Sequence, residues 1–496
     1  MKSLHKALLT ATLLGCMTPS TASATWSIVL VDKRTGEVGI ASVTCLTGLD
    51  LRAITPVVLV ERGAAAVQAA GDFDGVRRPI LRAELLAGTA PADILTLLAA
   101  VPGHALRQYG IVDVWGRTAT FSGSQNAAWA GGVVGETEDL AYAIQGNILA
   151  GSCVVPAIEA ALLTNPNELG AKLMAGMLAA RVRGGDGRCS CSPAAPTSCG
   201  CPVTGKSGHI GYLIVARSGD TDDASCDASG CADGDYYCDL NVAFQSASNV
   251  DPVQQLNTQY IVFRNGQLGR PDATRSTAHF RLTDQAIELT IALRDLAGTA
   301  VVTPVAVTIE HATGSAGLTH IGPVSALGGG QYRVELVPSP GRLGFDRFRV
   351  VADDGGRPVV LMPAPEVCVA ELRDCNANGV ADGCELARGE VEDANGNGVP
   401  DPCERFLRGD CNRDHAVGVA DVVTVLTLLF DPAGPEVPCP AACDANDDGA
   451  IDLADAVRTS LALFGSSGPL PPPALRCGLA PATNALSCQP DPGCTP

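Results

Sequence analysis

The stretch "TWSIVLVDKRTGEVGIASVT", residues 25–44, decides how the first half of the chain is read. Two apolar runs, TWSIVLVD and EVGIASVT, flank the turn KRTG, the pattern of paired β-strands. Just ahead of it the chain reads like an export signal. Lys2 and Lys6 precede the apolar run ALLTATLLGCM, Pro19 breaks that run, and Ala22-Ser23-Ala24 supplies the small residues of a cleavage point. Residues 1–24 are therefore expected to be a signal peptide, and cleavage after Ala24 makes Thr25 the new N-terminus. A competing cut lies before Cys16 in "LLGC", which has the form of a lipoprotein cleavage site. Cys16 would then carry lipid and Thr25 would stay internal.

The whole chain sets further bounds. At 496 residues it exceeds one ordinary core, so several domains are expected. The net charge of −19 argues against nucleic-acid partners and anionic membrane surfaces, and suits a protein that holds cations. The leader's apolar run is too short to cross a bilayer, and no later segment reaches about 20 apolar residues, so no transmembrane segment is expected. A secreted or surface location on a bacterium follows. In that compartment the 20 cysteines are expected to form disulfides, and the 19 left after the cut include at least one without an internal partner.

Residues 25–262 read as one α/β domain. Strand patterns at "PVVLVERGAAAVQAA", "QYGIVDVWG", "RTATFSG", "LAYAIQG" and "HIGYLIVAR" alternate with helical spacing at "PILRAELLAG", "PADILTLLAAVP", "VVPAIEAALLT" and "NELGAKLMAGMLAARV". Thr89 is a candidate helix cap before Pro91. This order predicts sheets covered by helices. The insertions "CSCSPAAPTSCGC" (189–201) and "CDASGCADGDYYC" (226–238) hold little apolar content and read as stapled loops, with metal binding by the C-x-C pairs as the alternative. Residues 263–366 carry alternating strands such as "AIELTIALRD" and "GQYRVELVPS" between Gly/Pro turns, the pattern of an all-β sandwich. That segment has no Trp, so a spacer role is favoured over sugar binding.

From 367 the chain turns acidic and repetitive. "DCNANGVADGCE" (374–385) and "DANGNGVPDPCE" (393–404) recur at a 19-residue interval, and both satisfy D-x-[DN]-x-[DN]-G-x5-E. Oxygens at positions 1, 3 and 5 wrap a hard cation, Gly at 6 permits the turn, and Glu at 12 closes the cage. The expected Ca2+ ligands are Asp374, Asn376, Asn378, Asp382 and Glu385, then Asp393, Asn395, Asn397, Asp401 and Glu404. The interval resembles thrombospondin-type repeats over 367–405. A second pair, "DCNRDHAVGVAD" (410–421) and "DANDDGAIDLAD" (444–455), runs into apolar helices and resembles a dockerin-like EF-hand pair over 406–468. Its ligands would be Asp410, Asn412, Asp414 and Asp421, then Asp444, Asn446, Asp448, Asp452 and Asp455. His415 replaces the turn glycine in the first copy and Gly418 its position-9 ligand, which departs from the dockerin pattern. Resemblance to dockerins implies a cohesin-like or cell-surface partner. Residues 469–496 form a Pro/Cys-rich tail.

A threonine freed at the N-terminus carries a hydroxyl nucleophile and an α-amine of pKa about 7.7–8.0 on one residue, so it supplies its own base. The segments "TWSIVLVDKRTGEVGIASVT", "GAAAVQAA", 80–123, "YAIQGNILAG" and "GGDGR…GYLIVAR" together resemble the DUF1028 family, over nearly all of 25–217. The resemblance implies an α+β, four-layer αββα fold of the Ntn-hydrolase superfamily, with Thr25 as nucleophile and hydrolysis of a small amide-containing substrate without a catalytic cofactor. An oxyanion donor is needed, and Asn147 is the first candidate; Gln68, Gln145 and Arg188 are candidate substrate contacts. Two other readings compete: a calcium-stabilised structural or adhesion protein, and a docked polysaccharide-degradation component. No H-E-x-x-H, phosphate-binding P-loop or G-x-S-x-G motif supports another enzyme class.

Overall fold

The computed structural model describes residues 24–127, 129–190, 205–375, 378–393, 398–400, 403–431, 437–465, 468–479, 486, 488 and 493–494. The expected signal up to residue 23, including Cys16, and most of the first cysteine insertion lie outside them. The chain forms two compact units, Met1–Leu268 and Gly269–Pro496. Along the first, strands β1 (Thr25–Asp32), β2 (Val38–Thr44), β3 (Pro56–Leu59) and β4 (Gly63–Ala69) precede helices α1 (Arg77–Ala87) and α2 (Pro91–Ala99). Strands β5 (Arg107–Asp113), β6 (Thr118–Ser122), β7 (Gly131–Glu136) and β8 (Leu140–Asn147) follow, then α3 (Val154–Thr164), α4 (Leu169–Val182) and the single turn α5 (Gly187–Ser190). β9 (Ile210–Ala216), β10 (Cys238–Val242) and α6 (Pro252–Gly266) complete it.

Two antiparallel sheets result, ordered β10-β9-β2-β1-β8-β7 and β3-β4-β5-β6. The β1–β2 turn is held by Asp32, whose carboxylate accepts the N–H groups of Arg34 and Thr35 at 3.0 and 2.9 Å. Alternate residues of β1 serve different cores. Trp26, Ile28 and Leu30 pack with Ile158 and Leu162 of α3 and Leu173 and Met177 of α4. Val29 and Val31 instead pack with Val58, Ala64, Ala66 and Val112 of the four-stranded sheet. The far face of that second sheet is covered by Leu81 and Leu85 of α1 and Ile94 and Leu98 of α2. Both faces of β1 are thus buried, which is why its sequence is nearly continuous in apolar residues.

Several elements differ from expectation. Helix α6 runs across residue 262, so the first unit extends beyond the boundary read from composition. The N-cap of α2 is Ala90; Thr89 donates instead to Glu84 Oε2 at 2.6 Å, and Pro91 sits where the helix needs no N–H donor. The insertion 226–238 is a stapled loop only in part. Cys226 pairs with Cys231, but Cys238 opens edge strand β10 and is a free, buried thiol among the described residues. Strand β7, "GGVVGE", is glycine-rich and half-exposed, so its periodicity gave no warning.

In the second unit, strands β11 (Thr277–Leu282), β12 (Ile287–Ala292), β13 (Ala306–His311), β14 (Thr319–Ile321), β15 (Ser325–Gly328), β16 (Gln331–Pro338), β17 (Gly344–Asp353), β18 (Val359–Val360) and β19 (Glu366–Val369) form two antiparallel sheets. These share a core in which Leu289, Ile291 and Val334 meet Phe348, Val350 and Ala352. Helices α7 (Asp382–Arg388), α8 (Val419–Phe430), α9 (Pro440–Cys443) and α10 (Leu453–Phe464) follow. Disulfides Cys368–Cys384, Cys375–Cys403, Cys411–Cys443, Cys439–Cys488 and Cys477–Cys494 tie this region, as expected of an oxidising compartment. No helix among the described residues is long and apolar enough to cross a membrane.

Trp26 is the largest side chain wholly inside the first unit. Trp26→Ala is expected to cost that unit about 3–5 kcal/mol, read from its denaturation midpoint; an unchanged midpoint would refute the packing described for β1.

Candidate functional site

The register of β1 with its two neighbours arranges residues in rows across the face that looks toward the four-stranded sheet. Ile40, Val29 and Ala143 form one row, Ser42, Ser27 and Gln145 the next, and Thr44, Thr25 and Asn147 the last. An apolar interior thus gives way to hydroxyls and amides at the end where β1 begins. The opposite sheet answers with Gln68, Gln108 and Ser122 in register on β4, β5 and β6.

These groups bond to one another. Ser27 Oγ lies 2.9 Å from Ser42 Oγ and donates to Gln68 Oε1. Gln68 Nε2 donates to the Thr25 carbonyl at 2.9 Å and to Gln108 Oε1 at 2.8 Å. Gln108 Nε2 reaches Ser122 Oγ and the Gly146 carbonyl, both at 2.8 Å. Gln68 is therefore a fully buried brace beneath Thr25. Gln145 is buried too and lies across Gly110, where a Cβ would come within 2.1 Å of its Oε1. Neither end of the Gln145 amide has a hydrogen-bond partner among the described protein atoms.

Thr25 itself is buried, and its N–H donates to Asn147 Oδ1 at 3.1 Å. The carbonyl of Ala24, immediately before it, accepts from the Thr44 hydroxyl and from Arg188 Nη2, the latter at 3.0 Å. Arg188 is forked over Asp186, with Nη2 to Oδ2 at 2.8 Å and Nε to Oδ1 at 3.2 Å. Asp186 is fully buried and also accepts the Cys45 N–H at 2.7 Å. The "GGDGR" loop reaches this place because Gly185 (φ 54°) passes where a Cβ would lie 2.8 Å from Ser207 and 3.0 Å from Trp26 Nε1. A disulfide joins Cys45 to Cys189, the residues that follow Thr44 and Arg188. His209 Nε2 is 3.2 Å from Cys189 Sγ, and burial, then the nearby Lys206 charge, hold its pKa below the ordinary histidine value.

All five residues singled out from the sequence for the hydrolytic site, Thr25, Asn147, Gln68, Gln145 and Arg188, thus come together around the start of β1. Thr44, Asp186, Gln108, Ser27 and Ser42 were not singled out. Ser27, Ser42 and Thr44 had a signal: once KRTG is read as the hairpin turn, they share a strand face with Thr25.

Residues 25–198 match the family described as "Family of unknown function (DUF1028)". Among solved structures, protein SPO2555 from Silicibacter pomeroyi, itself described as a DUF1028 protein, is 21% identical; the alignment covers 48% of this chain and 89% of that one, with a TM-score of 0.35. The Escherichia coli adhesin FdeC is 11% identical over 69% of this chain and 62% of its own, with a TM-score of 0.17. No curated protein matches the chain.

The acidic loops of the second unit form a separate feature. In the loop before α10, Asp444 accepts the N–H groups of Asp448 and Gly449 at 3.2 and 3.0 Å, and Asp455 accepts that of Asn446 at 3.2 Å. The loop before α8 repeats this bond for bond: Asp410 accepts from Asp414 and His415, both at 3.0 Å, and Asp421 from Asn412 at 3.0 Å. His415 (φ 67°) follows the left-handed path of Gly449 (φ 83°), so the missing glycine does not alter the backbone course. Asp452 caps α10 by accepting the Ala454 N–H. In the first repeat, Asp374 accepts from Asn378 and Gly379 at 3.1 and 2.8 Å, Asn378 Nδ2 donates to Glu385 Oε1 at 2.7 Å, and Asp382 opens α7. In the second, Asp393 accepts from Gly398 at 2.8 Å and Glu404 is buried. Asn376, Asn395, Asn397 and Asp401 lie outside the described residues.

Asp410, Asp421, Asp444 and Asp455 are all buried. Burial first, then neighbouring carboxylates, raises Asp410, Asp421 and Asp455 above the ordinary value of 3.8. Such oxygen-only sets fit a hard divalent cation. For these groups the metal-free fold binds protons more tightly than the unfolded chain. Their contribution to local stability is therefore full below about pH 3.8 and is lost as pH rises through the raised values. Without metal, hydrogen-exchange protection in α8 and α10, corrected for intrinsic rates, is expected to fall on going from acid toward neutral pH; a rise would contradict the assignment.

Proposed function

We propose that the first unit is an exported amide hydrolase of the N-terminal-nucleophile type, and that calcium braces the second. The observation that carries the first part is the position of Thr25. It heads the central strand, at the end of a polar band between two sheets that are each covered by helices on the outer face, and its nitrogen faces Asn147 Oδ1. This layering supports reading the unit as an αββα Ntn-hydrolase fold. Cleavage after Ala24 turns the Thr25 N–H into an α-amine of pKa about 7.7–8.0, able to take the proton of its own hydroxyl. Asn147 then orients the amine, while Gln68 and Gln108 lock the strand end through the Thr25 and Gly146 carbonyls. The substrate is a small molecule with an amide bond, and no cofactor is needed for the chemistry.

The calcium reading is supported by four loops with carboxylates at both ends, two of them bonded alike. Asp374, Asn378, Asp382 and Glu385, then Asp393 and Glu404, would hold ions in the first pair, with Asn376, Asn395, Asn397 and Asp401 completing the sets. Asp410, Asn412, Asp414 and Asp421, then Asp444, Asn446, Asp448, Asp452 and Asp455, would do so in the second. Bound calcium would neutralise buried carboxylates that otherwise repel. The dockerin-like pair would present α8 and α10 to a cohesin-like or cell-surface partner.

Two measurements test these readings. Periodate oxidises an N-terminal threonine, so the exported protein should shift in mass at residue 25, and Thr25→Ala should lose amide hydrolysis that Thr25→Ser keeps. A mature chain beginning elsewhere ends the hydrolase reading. Chelation should lower the second unit's melting temperature, and calcium at about 100 times its Kd should restore about 2.7 kcal/mol; indifference to both would remove calcium from the account.

A further inference from the structure

We propose that the Thr44 hydroxyl and the Arg188 guanidinium are the oxyanion donors of this site, and that Asp186 and the Cys45–Cys189 disulfide position them. The assignment rests on Thr25 being the nucleophile. The residue-24 carbonyl marks where a reacting carbonyl sits: with the Thr25 nitrogen, Cα, Cβ and Oγ1, its carbon completes a five-membered ring, whereas the carbonyl of Thr25 itself could close only a strained four-membered one. Two donors converge on its oxygen, Thr44 Oγ1 and Arg188 Nη2, the second at 3.0 Å. Asn147, the donor expected from sequence, turns its carboxamide oxygen to the Thr25 N–H instead. An acceptor there holds the amine and leaves the oxyanion to other groups.

The donors are fixed before any reaction. The fork from Arg188 to buried Asp186 leaves Nη2 aimed at both the carbonyl and Thr44 Oγ1, the latter 3.4 Å away. Asp186 also takes the Cys45 N–H, binding the end of β2 to the same loop. The disulfide repeats that link covalently, one residue beyond each donor. A preset pair of this kind in a water-poor site stabilises charge as it develops, without reorganising.

In the reaction, Thr25 Oγ1 forms a bond to the substrate carbonyl carbon, its proton passes to the α-amine, and the carbonyl π pair moves to the oxygen held by Thr44 and Arg188. When the tetrahedral species collapses, the C–N bond breaks and the leaving amine takes the proton from the Thr25 ammonium, leaving a Thr25 ester. Water adds by the same path, breaks the ester and restores the hydroxyl, so amide and water become acid and amine.

The test uses the mature full chain and N-acetyl-L-serine β-lactone, whose ring opening passes through the same oxyanion; acyl-Thr25 is followed by intact mass and peptide mapping. Thr44→Val and Arg188→Met are each expected to slow acylation about 10²-fold. The melting temperature and the pH midpoint of labelling of Thr44→Val should stay near the wild-type values, and Thr44→Ser should recover most of the rate; Arg188→Met leaves buried Asp186 unpaired and should melt lower. Asn147→Asp should instead raise the pH midpoint, because a carboxylate favours the ammonium form. Wild-type labelling rates in both Thr44→Val and Arg188→Met would overturn the donor assignment, and either variant suffices if the other fails to fold. Failure of the wild-type chain to label at Thr25 would overturn the nucleophile reading beneath it, a different result from equal rates.

Discussion

The antiparallel register of β1 between β2 and β8 is the constraint on which the first unit depends. Side chains on a strand alternate strictly, so a slip of one residue would exchange the two faces of β1. Trp26, Ile28 and Leu30 would leave the helices for the inter-sheet space, and Thr25 and Ser27 would turn away from Gln68. Two independent cores, one on each face, oppose that slip. The same alternation that buries Val29 and Val31 delivers Thr25 to the end of the polar band. Packing and site geometry are thus one decision, taken at the hairpin.

Much of this was legible in the sequence. TWSIVLVD and EVGIASVT around KRTG gave the hairpin, and "YAIQGNILAG" and "GGDGR" gave the segments that meet Thr25. What stayed hidden was pairing at a distance. Nothing local in "RQYGIVD" says that Gln108 will face Gln68, because that depends on β4 and β5 lying side by side across two intervening helices. Asp186 was passed over for a related reason: its importance lies in Cys45 and Arg188, one of them 141 residues away. Helix α6 was missed because its apolar residues are diluted by Gln and Asn, and only contact with the sheet makes a helix face of Val253, Leu256 and Tyr260.

The second unit shows the opposite balance. Its acidic loops are local motifs, and local motifs survive translation into structure well: loops 34 residues apart in sequence carry matching hydrogen bonds. His415 is instructive, since the backbone adopts a left-handed turn at a residue other than glycine. The bonds from Asp410 and Asp421 on either side impose that path. Side-chain identity at the turn is here subordinate to the carboxylates that frame it.

Ala24 is wholly enclosed, with its carbonyl bonded to groups from β2 and the "GGDGR" loop. A peptidase must draw its target into an extended strand across its own cleft, and this bond is sealed once the sheets have closed. If the chain is trimmed ahead of Thr25 by a separate peptidase, as the proposed function requires, that cut would fall between the chain's emergence and its final collapse. On that reading biogenesis would be a race, and a molecule that folded before it was cut would be well built but silent.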